Sequence, residues 1–305
     1  MMKILVTGGL GGLGRHVSNQ LLEAGFEVMI FDMKTARNQS VAQNFPSECI
    51  HWGDITNSNS YPDLKQFDAI IHLAFIIPPK SEESWARKIN VGGTLHLIRT
   101  CERVNPSCRF IFASSVTVIG VTQHLVPPIT AENLPLRCSD FYTTDKSICE
   151  ILIQESKLDW IILRFAESPH LEIDLSPKYL NQMYIISADA RVEFVHPLDI
   201  ATACTNAVTT SFSRDVYIIG GGPTCQGTFY DQITQIFALF NLPPPRKEKF
   251  NEAPVWLDWY DTTKSQEILQ FQSRTFADYL EDLKKSLGWK LGFIKFFAPI
   301  AKYFF

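Results

Sequence analysis

The residue types best suited to chemistry are a tyrosine and a lysine four positions apart, Tyr142 and Lys146, at the start of a helical pattern. Residues at this spacing lie on one face of a helix, so the phenol and the ammonium group can reach the same site. A tyrosine whose pKa lies near the reference value of about 10 is a poor base at neutral pH. A fixed cation nearby stabilises the phenolate, so this pair predicts proton transfer to or from a substrate hydroxyl.

A hydroxyl group that could act on the same substrate follows an apolar segment earlier in the chain. Residues 110–113 predict a buried strand, and Ser114 and Ser115 stand at its carboxyl end. We expect one of the two serine hydroxyls to hydrogen-bond the substrate oxygen on which Tyr142 acts. A tyrosine and a lysine at this spacing are common by chance, so the pair alone does not indicate a site. The preceding strand, which ends in two serines, is what makes the pair indicate one.

A glycine-rich segment near the start of the chain has the composition of a phosphate-binding turn. It lies between an apolar strand pattern, residues 3–6, and a helical pattern over residues 13–22, and reads Thr7-Gly8-Gly9-Leu10-Gly11-Gly12-Leu13-Gly14. Free amides and the helix dipole at such a turn favour an anion. We expect Gly8 to form the tight turn, Gly11 to admit a pyrophosphate and Gly14 to let the helix pack on the strand. A dinucleotide site is predicted, with a simple mobile turn as the alternative.

An acidic residue ends the next predicted strand and bears on which dinucleotide would bind. Asp32 follows the apolar residues 28–31, about 20 residues beyond the glycines, where a carboxylate suits the adenosine ribose hydroxyls. A carboxylate there repels the additional phosphate of NADP, so NAD is the predicted cofactor. Lys34 and Arg37 follow closely and could hold that phosphate, which keeps NADP as the less favoured alternative. With the serine, tyrosine and lysine, these features predict nicotinamide-dependent redox chemistry.

The order of the apolar and helical patterns predicts an α/β fold, a Rossmann-type doubly wound parallel sheet with a smaller C-terminal substrate-binding lobe. The strand patterns that alternate with helical ones are residues 28–31, 69–73, 109–113 and 160–164. Residues 1–165 would form the NAD-binding domain, to which residues 190–220 would return. Residues 166–189 and 221–305 would form the substrate lobe and an apolar tail, with an amphipathic helix over residues 276–287.

Several motifs, in sequence order, resemble those of the extended short-chain dehydrogenase/reductases, the NAD-dependent epimerase/dehydratase family. They are the glycine segment at residues 7–14, Gly53-Asp54-Ile55, Ile71-His72-Leu73-Ala74, Asn90-Val91-Gly92-Gly93-Thr94, the serine segment at residues 112–120, Tyr142 with Lys146, and Phe194-Val195-His196-Pro197-Leu198-Asp199. The resemblance covers nearly the whole chain. It implies NAD-dependent hydride transfer at a secondary alcohol or ketone carbon, with nucleotide sugars as the leading substrate class.

The resemblance also implies roles for particular residues. Ser115, Tyr142 and Lys146 would be catalytic. The cofactor would be contacted by Thr7, Gly8, Gly11, Gly12, Leu13, Gly14, Asp32, Asp54, Ile55, Leu73, Ala74, Asn90 and Lys146. No metal is expected, because no pair of histidines has the spacing of a metal site.

The chain departs from the family pattern at positions that bear on the substrate. Members that dehydrate sugars carry an Asp-Glu pair directly after the catalytic hydroxyl, where this chain has Val116 and Thr117, which argues against dehydration. Many epimerases hold the substrate diphosphate with an asparagine shortly after the arginine that ends the sixth strand. The corresponding residues here, 164–169, include Glu167, whose carboxylate would repel a diphosphate unless it turns away. A dehydrogenase or reductase of a non-nucleotide substrate, including a hydrophobic one, is therefore the alternative. A non-catalytic nucleotide sensor or scaffold is a lesser alternative, because such members typically lose the tyrosine or the lysine.

The composition of the 305-residue chain limits its partners. A net charge of −4 without a basic stripe argues against nucleic acid and leaves a small-molecule substrate as the expected partner. Seven dispersed cysteines predict reduced thiols and a cytoplasmic protein. The apolar and aromatic residues 292–305 are fewer than the roughly 20 that span a bilayer. Three fates compete for this tail: packing on its own domain, joining a homodimer interface, or lying in a membrane surface.

Overall fold

A computed structural model of the protein describes residues 1–77, 82–130, 135–171, 183–253 and 255–301. The strands are β1 Lys3–Thr7, β2 Glu27–Asp32, β3 Ile50–Trp52, β4 Ala69–His72, β5 Arg109–Ser115, β6 Asp159–Phe165, β7 Arg191–Glu193, β8 Asp215–Ile219 and β9 Gln226–Thr228. Seven of them form a parallel sheet in the order β3-β2-β1-β4-β5-β6-β8. The predicted α/β class is confirmed, because this order runs outward from β1 in both directions. Strand β8 lies within residues 190–220, the segment expected to return to the sheet.

Helices connect the strands and cover both faces of the sheet. They are α1 Gly14–Glu23, α2 Ala36–Ala42, α3 Glu83–Arg87, α4 Thr94–Val104, α5 Phe141–Gln154, α6 Pro197–Thr209, α7 Phe229–Leu239, α8 Thr263–Leu269, α9 Phe276–Leu287 and α10 Trp289–Ala301. Helix α5 begins one residue before Tyr142, so the predicted tyrosine–lysine pair occupies its first two turns.

Strand β1 shows why both faces of the sheet must be covered. Successive side chains of a strand point to opposite faces. Ile4 packs in a cluster with Val17 and Leu21 of α1, whereas Leu5 packs in a second cluster with Leu97 of α4. All of these side chains are buried. A strand that is apolar on both faces is typical of a parallel sheet between two layers of helices.

The smaller lobe contains the remaining strands and the last helices. Strands β7 and β9 pair antiparallel in a separate two-stranded sheet. Helix α9 matches the amphipathic helix predicted over residues 276–287. It begins with a capping box, in which Thr275 and Asp278 hydrogen-bond each other's backbone amides and so satisfy donors that the helix cannot.

A buried ion pair fixes α5 against the two strands beside it. Arg164 of β6 and Glu150 of α5 are both buried, with Nη2 and Oε2 2.8 Å apart. Ser114 of β5 donates its hydroxyl hydrogen bond to the same carboxylate. At the start of the helix, the Asp140 side chain accepts a hydrogen bond from the amide of Thr143. The rotation of α5 and its position along the sheet are therefore set by bonds to β5 and β6.

We expect Arg164→Met to destabilise the fold by about 3–5 kcal/mol, because the buried Glu150 carboxylate would lose its positive partner. The free energy of unfolding in urea is the quantity to measure. Lys264→Met is the matched control, since it breaks a half-exposed pair with Asp215 and should cost less than about 1 kcal/mol. Equal losses in the two variants would contradict the anchoring role of the buried pair.

Candidate active site

The glycine turn closes tightly on itself and on the end of β4. Gly8 has a φ of +70°, in the left-handed region, and a Cβ there would lie 2.7 Å from the backbone nitrogen of Ala74. A Cβ on Gly14 would lie 2.1 Å from the carbonyl oxygen of Gly8, so neither position accepts a side chain. Gly11 is less confined, because among the described residues a Cβ would meet only the Gly8 oxygen, at 3.0 Å.

The start of α1 offers backbone amides to an anion. The helix begins at Gly14 without a side-chain cap, and no described residue accepts a hydrogen bond from the amide of Gly12 or Leu13. Such amides at a helix N-terminus, together with the helix dipole, bind phosphate groups. The residues of the turn therefore fit the pyrophosphate of a dinucleotide.

Asp32 lies beside this turn and is tied to it. Its carboxylate accepts hydrogen bonds from the amides of Leu10, at 2.9 Å, and Met33, at 2.8 Å, and from the side-chain amide of Asn38, at 3.0 Å. Burial raises the pKa of the Asp32 carboxyl, and the two backbone hydrogen bonds oppose that shift. The carboxylate thus stands at the end of β2 next to the candidate pyrophosphate site.

Four further predicted cofactor residues lie along the same edge of the sheet. Asp54 and Ile55 follow β3, and Leu73 and Ala74 follow β4. The Asp54 carboxylate accepts hydrogen bonds from the amide and the hydroxyl of Thr56, both at 2.8 Å. Because parallel strands end at one edge, these residues and the glycine turn border the same region.

Asn90, also predicted to contact the cofactor, is buried and engaged by protein groups. Its side chain accepts a hydrogen bond from the Ile76 amide at 2.9 Å and donates one to the Ile76 carbonyl at 3.0 Å. It also donates to Asp145 at 3.2 Å, and Asp145 pairs with Arg87 at 2.8 Å. Asn90 therefore holds the segment after β4 against α5, and its contact with a cofactor stays a prediction.

Thr7, the first residue of the glycine segment, is linked to a buried histidine. The Thr7 hydroxyl lies 2.6 Å from Nδ1 of His72, and the Thr94 hydroxyl lies 2.8 Å from Nε2. Burial, assisted by the positive charge of Lys146, lowers the pKa of His72 to about 3. The imidazole is therefore neutral and ties the ends of β1 and β4 to α4.

The three predicted catalytic side chains meet where β5 ends beneath α5. The Ser115 hydroxyl lies close enough to Tyr142 to lower the pKa of the phenol. The Lys146 ammonium donates to the carbonyl oxygen of Ala113 at 2.5 Å and lies 3.7 Å from the centroid of the Phe75 ring. Phe75 also meets the Tyr142 ring edge to face, with the ring centroids 5.6 Å apart. The structure therefore brings the serine, tyrosine and lysine to one place.

Burial moves the pKa values of the tyrosine and the lysine in opposite directions. It raises the pKa of Tyr142 to about 12, an effect that the nearby Ser115 hydroxyl opposes. The carboxylates of Asp140 and Glu167 reinforce the rise. Burial lowers the pKa of Lys146 to about 7, so its charged and neutral forms are both populated at neutral pH. That the lysine, together with the positive nicotinamide of bound NAD, lowers the pKa of the tyrosine stays a prediction.

Glu167 follows β6 and lies near the tyrosine. Its side chain is reached by solvent, yet the surrounding protein raises the pKa of its carboxyl. Its carbonyl oxygen accepts a hydrogen bond from the Val195 amide at 2.8 Å, which fixes its backbone. Its carboxylate contributes the smallest part of the rise in the pKa of Tyr142, which comes mainly from burial.

Two neighbours of the site were missed by sequence reasoning. Phe75 touches both Tyr142 and Lys146, and its position directly after Ala74 at the strand end is the signal that could have found it. His170 lies over the glycine turn, with its ring carbon Cε1 2.6 Å from where a Cβ of Gly12 would be. No local pattern points to His170, because the contact joins distant parts of the chain.

Comparison with known proteins gives one family and several partial matches. A model of the NAD dependent epimerase/dehydratase family matches residues 4–220. The D-erythronate dehydrogenase of Haemophilus influenzae is 28% identical over 173 residues, which cover 53% of this chain and 54% of that protein. The decarboxylating sterol-4-alpha-carboxylate 3-dehydrogenase of Mus musculus is 31% identical over 151 residues, 48% of this chain and 39% of that protein. The chain thus spans about half, or less, of the length of these curated relatives.

A solved structure shares the fold over nearly the whole chain. It is the UDP-glucose 4-epimerase of Stenotrophomonas maltophila, crystallised with NAD and formylated UDP-arabinopyranose. The two structures align with a TM-score of 0.78 over 94% of this chain and 98% of that chain. Their sequences are 20% identical, so the likeness establishes the fold alone.

We expect Gly11→Ala to weaken NAD binding at least about tenfold, because the methyl group would stand where a pyrophosphate approaches the backbone. The fold should change little, since the added carbon meets only the Gly8 oxygen among described atoms. Titration calorimetry with NAD and thermal unfolding are the measurements. Gly92→Ala is the matched control, because no described atom lies within 4 Å of a Cβ there. Equal affinities in the two variants would remove the turn from the cofactor site.

Proposed function

Because the chain belongs to the NAD-dependent epimerase/dehydratase family, we propose that it transfers a hydride between NAD and the carbon of a secondary alcohol or ketone. The observation that supports this most directly is the meeting of Ser115, Tyr142 and Lys146 at the end of β5. Ligands of doubly wound sheets bind at the carboxyl ends of the strands, where this trio and the glycine turn both lie.

The residues along this edge would hold NAD. The amides of Gly12 and Leu13 would bind the pyrophosphate, Asp32 the adenosine ribose, and Asp54 and Ile55 would border the adenine. The bound cofactor would accept or return the hydride and bring a positive charge to the site. NAD is proposed rather than NADP, because the Asp32 carboxylate would repel the additional phosphate.

The catalytic trio would act on the substrate oxygen. Ser115 would hydrogen-bond that oxygen, and Tyr142 would take its proton as the hydride leaves the same carbon. A phenol whose pKa is about 12 keeps its proton, which suits donation during reduction. Oxidation requires a nearby positive charge to stabilise the phenolate, and the Lys146 ammonium, held by the Ala113 carbonyl, is placed to supply part of it.

Two reaction types are compatible with this proton and hydride transfer. In an epimerase the ketone would turn over and take the hydride back on its other face, whereas in a dehydrogenase or reductase the product would leave and the cofactor would exchange.

Glu167 favours a substrate without a diphosphate. The Glu167 carboxylate lies close enough to Tyr142 to raise the pKa of the phenol, and a negative charge at that distance would also repel an anionic substrate. A dehydrogenase or reductase of a non-nucleotide alcohol is therefore the preferred form of the proposal. A nucleotide-sugar epimerase is the second candidate, because the chain shares its fold with one.

Tyr142→Phe should lower turnover by about 10²–10⁴-fold while NAD still binds. The phenyl ring keeps the contact with Phe75, and only the hydroxyl that carries the proton is lost. Turnover is measured with a panel of sugar acids, nucleotide sugars and hydrophobic secondary alcohols, by NADH absorbance and by analysis for epimers. Tyr230→Phe is the matched control, since its hydroxyl bonds to the Pro245 carbonyl in the lobe and its loss should leave turnover unchanged. Near-normal activity of Tyr142→Phe would refute the mechanism.

The identity and exchange of the cofactor test the reaction type. Purified protein is denatured, the released nucleotide is identified, and exchange with added NADH and NADPH is followed. We expect NAD that exchanges freely, as a dehydrogenase or reductase requires. NAD that is tightly held and does not exchange would indicate internal recycling and an epimerase. Failure to bind either nucleotide would overturn the catalytic proposal, and binding without turnover of any substrate would leave a sensor or scaffold.

A further inference from the structure

The last helix, α10, presents large aromatic side chains to solvent. Trp289, Phe293 and Phe296 are 80%, 60% and 77% exposed. They are spaced by four and then three residues, so they lie on one face of the helix. Exposed side chains of this size, grouped on one face, mark a surface that binds another molecule.

Packing on its own lobe accounts for a different face of α10. Leu291 and Ile294 contact the apolar cluster that contains Tyr279 and Leu283 of α9. These contacts hold α10 on the lobe and leave the face of Trp289 directed away from the cluster. Packing of the tail on its own domain therefore accounts for only one face of α10.

The charge of this region is opposite to that of the whole chain. Residues 283–305 contain five lysines and no aspartate or glutamate, although the chain as a whole carries a net charge of −4. Two of these lysines form ion pairs with carboxylates in the preceding turn of α9: Lys284 with Glu281, and Lys285 with Asp282. The other three are Lys290, Lys295 and Lys302. Lys290 and Lys295 flank the aromatic face on the helical wheel, on either side of it.

We propose that α10 attaches the protein to the surface of an anionic lipid bilayer. Aromatic side chains bordered by lysines suit the boundary between acyl chains and headgroups, and the positive charge is complementary to anionic lipids. A second copy of the chain fits less well, because a two-fold interface would place the same lysine-rich surface against itself. The attachment is independent of the reaction proposed above.

The described helices are each too short or too polar to cross a bilayer.

Flotation of the full-length protein with vesicles tests the proposal. We expect it to float with vesicles of phosphatidylcholine containing about one third phosphatidylglycerol, and less with phosphatidylcholine alone or at high salt. A variant with Trp289→Gln, Phe293→Gln and Phe296→Gln should bind at least about tenfold more weakly. Lys290→Glu with Lys295→Glu should lose the preference for the anionic vesicles.

Phe212→Gln is the matched control, because this phenylalanine is 50% exposed on another part of the surface and its loss should leave vesicle binding unchanged. Thermal unfolding of the triple variant verifies that it is folded. Absence of flotation with either vesicle would overturn the proposal. The proposal would also be overturned if light scattering showed a wild-type dimer that does not bind vesicles and that the triple variant converts to a monomer. The aromatic face would then be a homodimer interface.

Discussion

The buried pairing of Glu150 with Arg164 is the constraint on which the candidate site depends. Tyr142, Lys146 and Glu150 follow one another at intervals of four along α5, so they share one face of the helix. An ion pair buried between a helix and a strand resists displacement, because movement would leave a charge without its partner in the protein interior. Anchoring the third residue of this face therefore fixes the other two relative to the end of β5, where Ser115 lies.

The burial that anchors α5 also sets the charge states of the site. Lys146 is surrounded by a carbonyl oxygen and an aromatic ring, which attract a cation without neutralising it, and burial lowers its pKa to about 7. Burial raises the pKa of Tyr142 to about 12 and holds His72 neutral. At neutral pH the phenol thus has a proton to give, and the lysine exists in both forms. Neighbouring groups whose pKa values are shifted in opposite directions are typical of sites of proton transfer.

Local patterns predicted the sheet and the tyrosine–lysine face of α5, whereas contacts between distant segments lay beyond them. The apolar residues 109–113 match β5, and the helix expected at Tyr142 is α5, because both depend on neighbouring residues. Glu167 acts on Tyr142 because β6 lies beside β5, and His170 covers the glycine turn because the chain after β6 returns to β1. The pKa of the tyrosine also depends on burial, which follows only from the assembled fold.

The proposed substrate preference would be set where the sheet meets the lobe. Just after β6, the amide of Ala166 donates to Ile219 of β8, and the carbonyl of Glu167 accepts from Val195. The backbone that carries the carboxylate is therefore held on both sides. The proposed catalytic trio has a separate support in α5 and β5. A change at the junction would thus alter which substrate is admitted without disturbing the proposed proton transfer, whereas a change in the α5 anchor would disturb that transfer for every substrate.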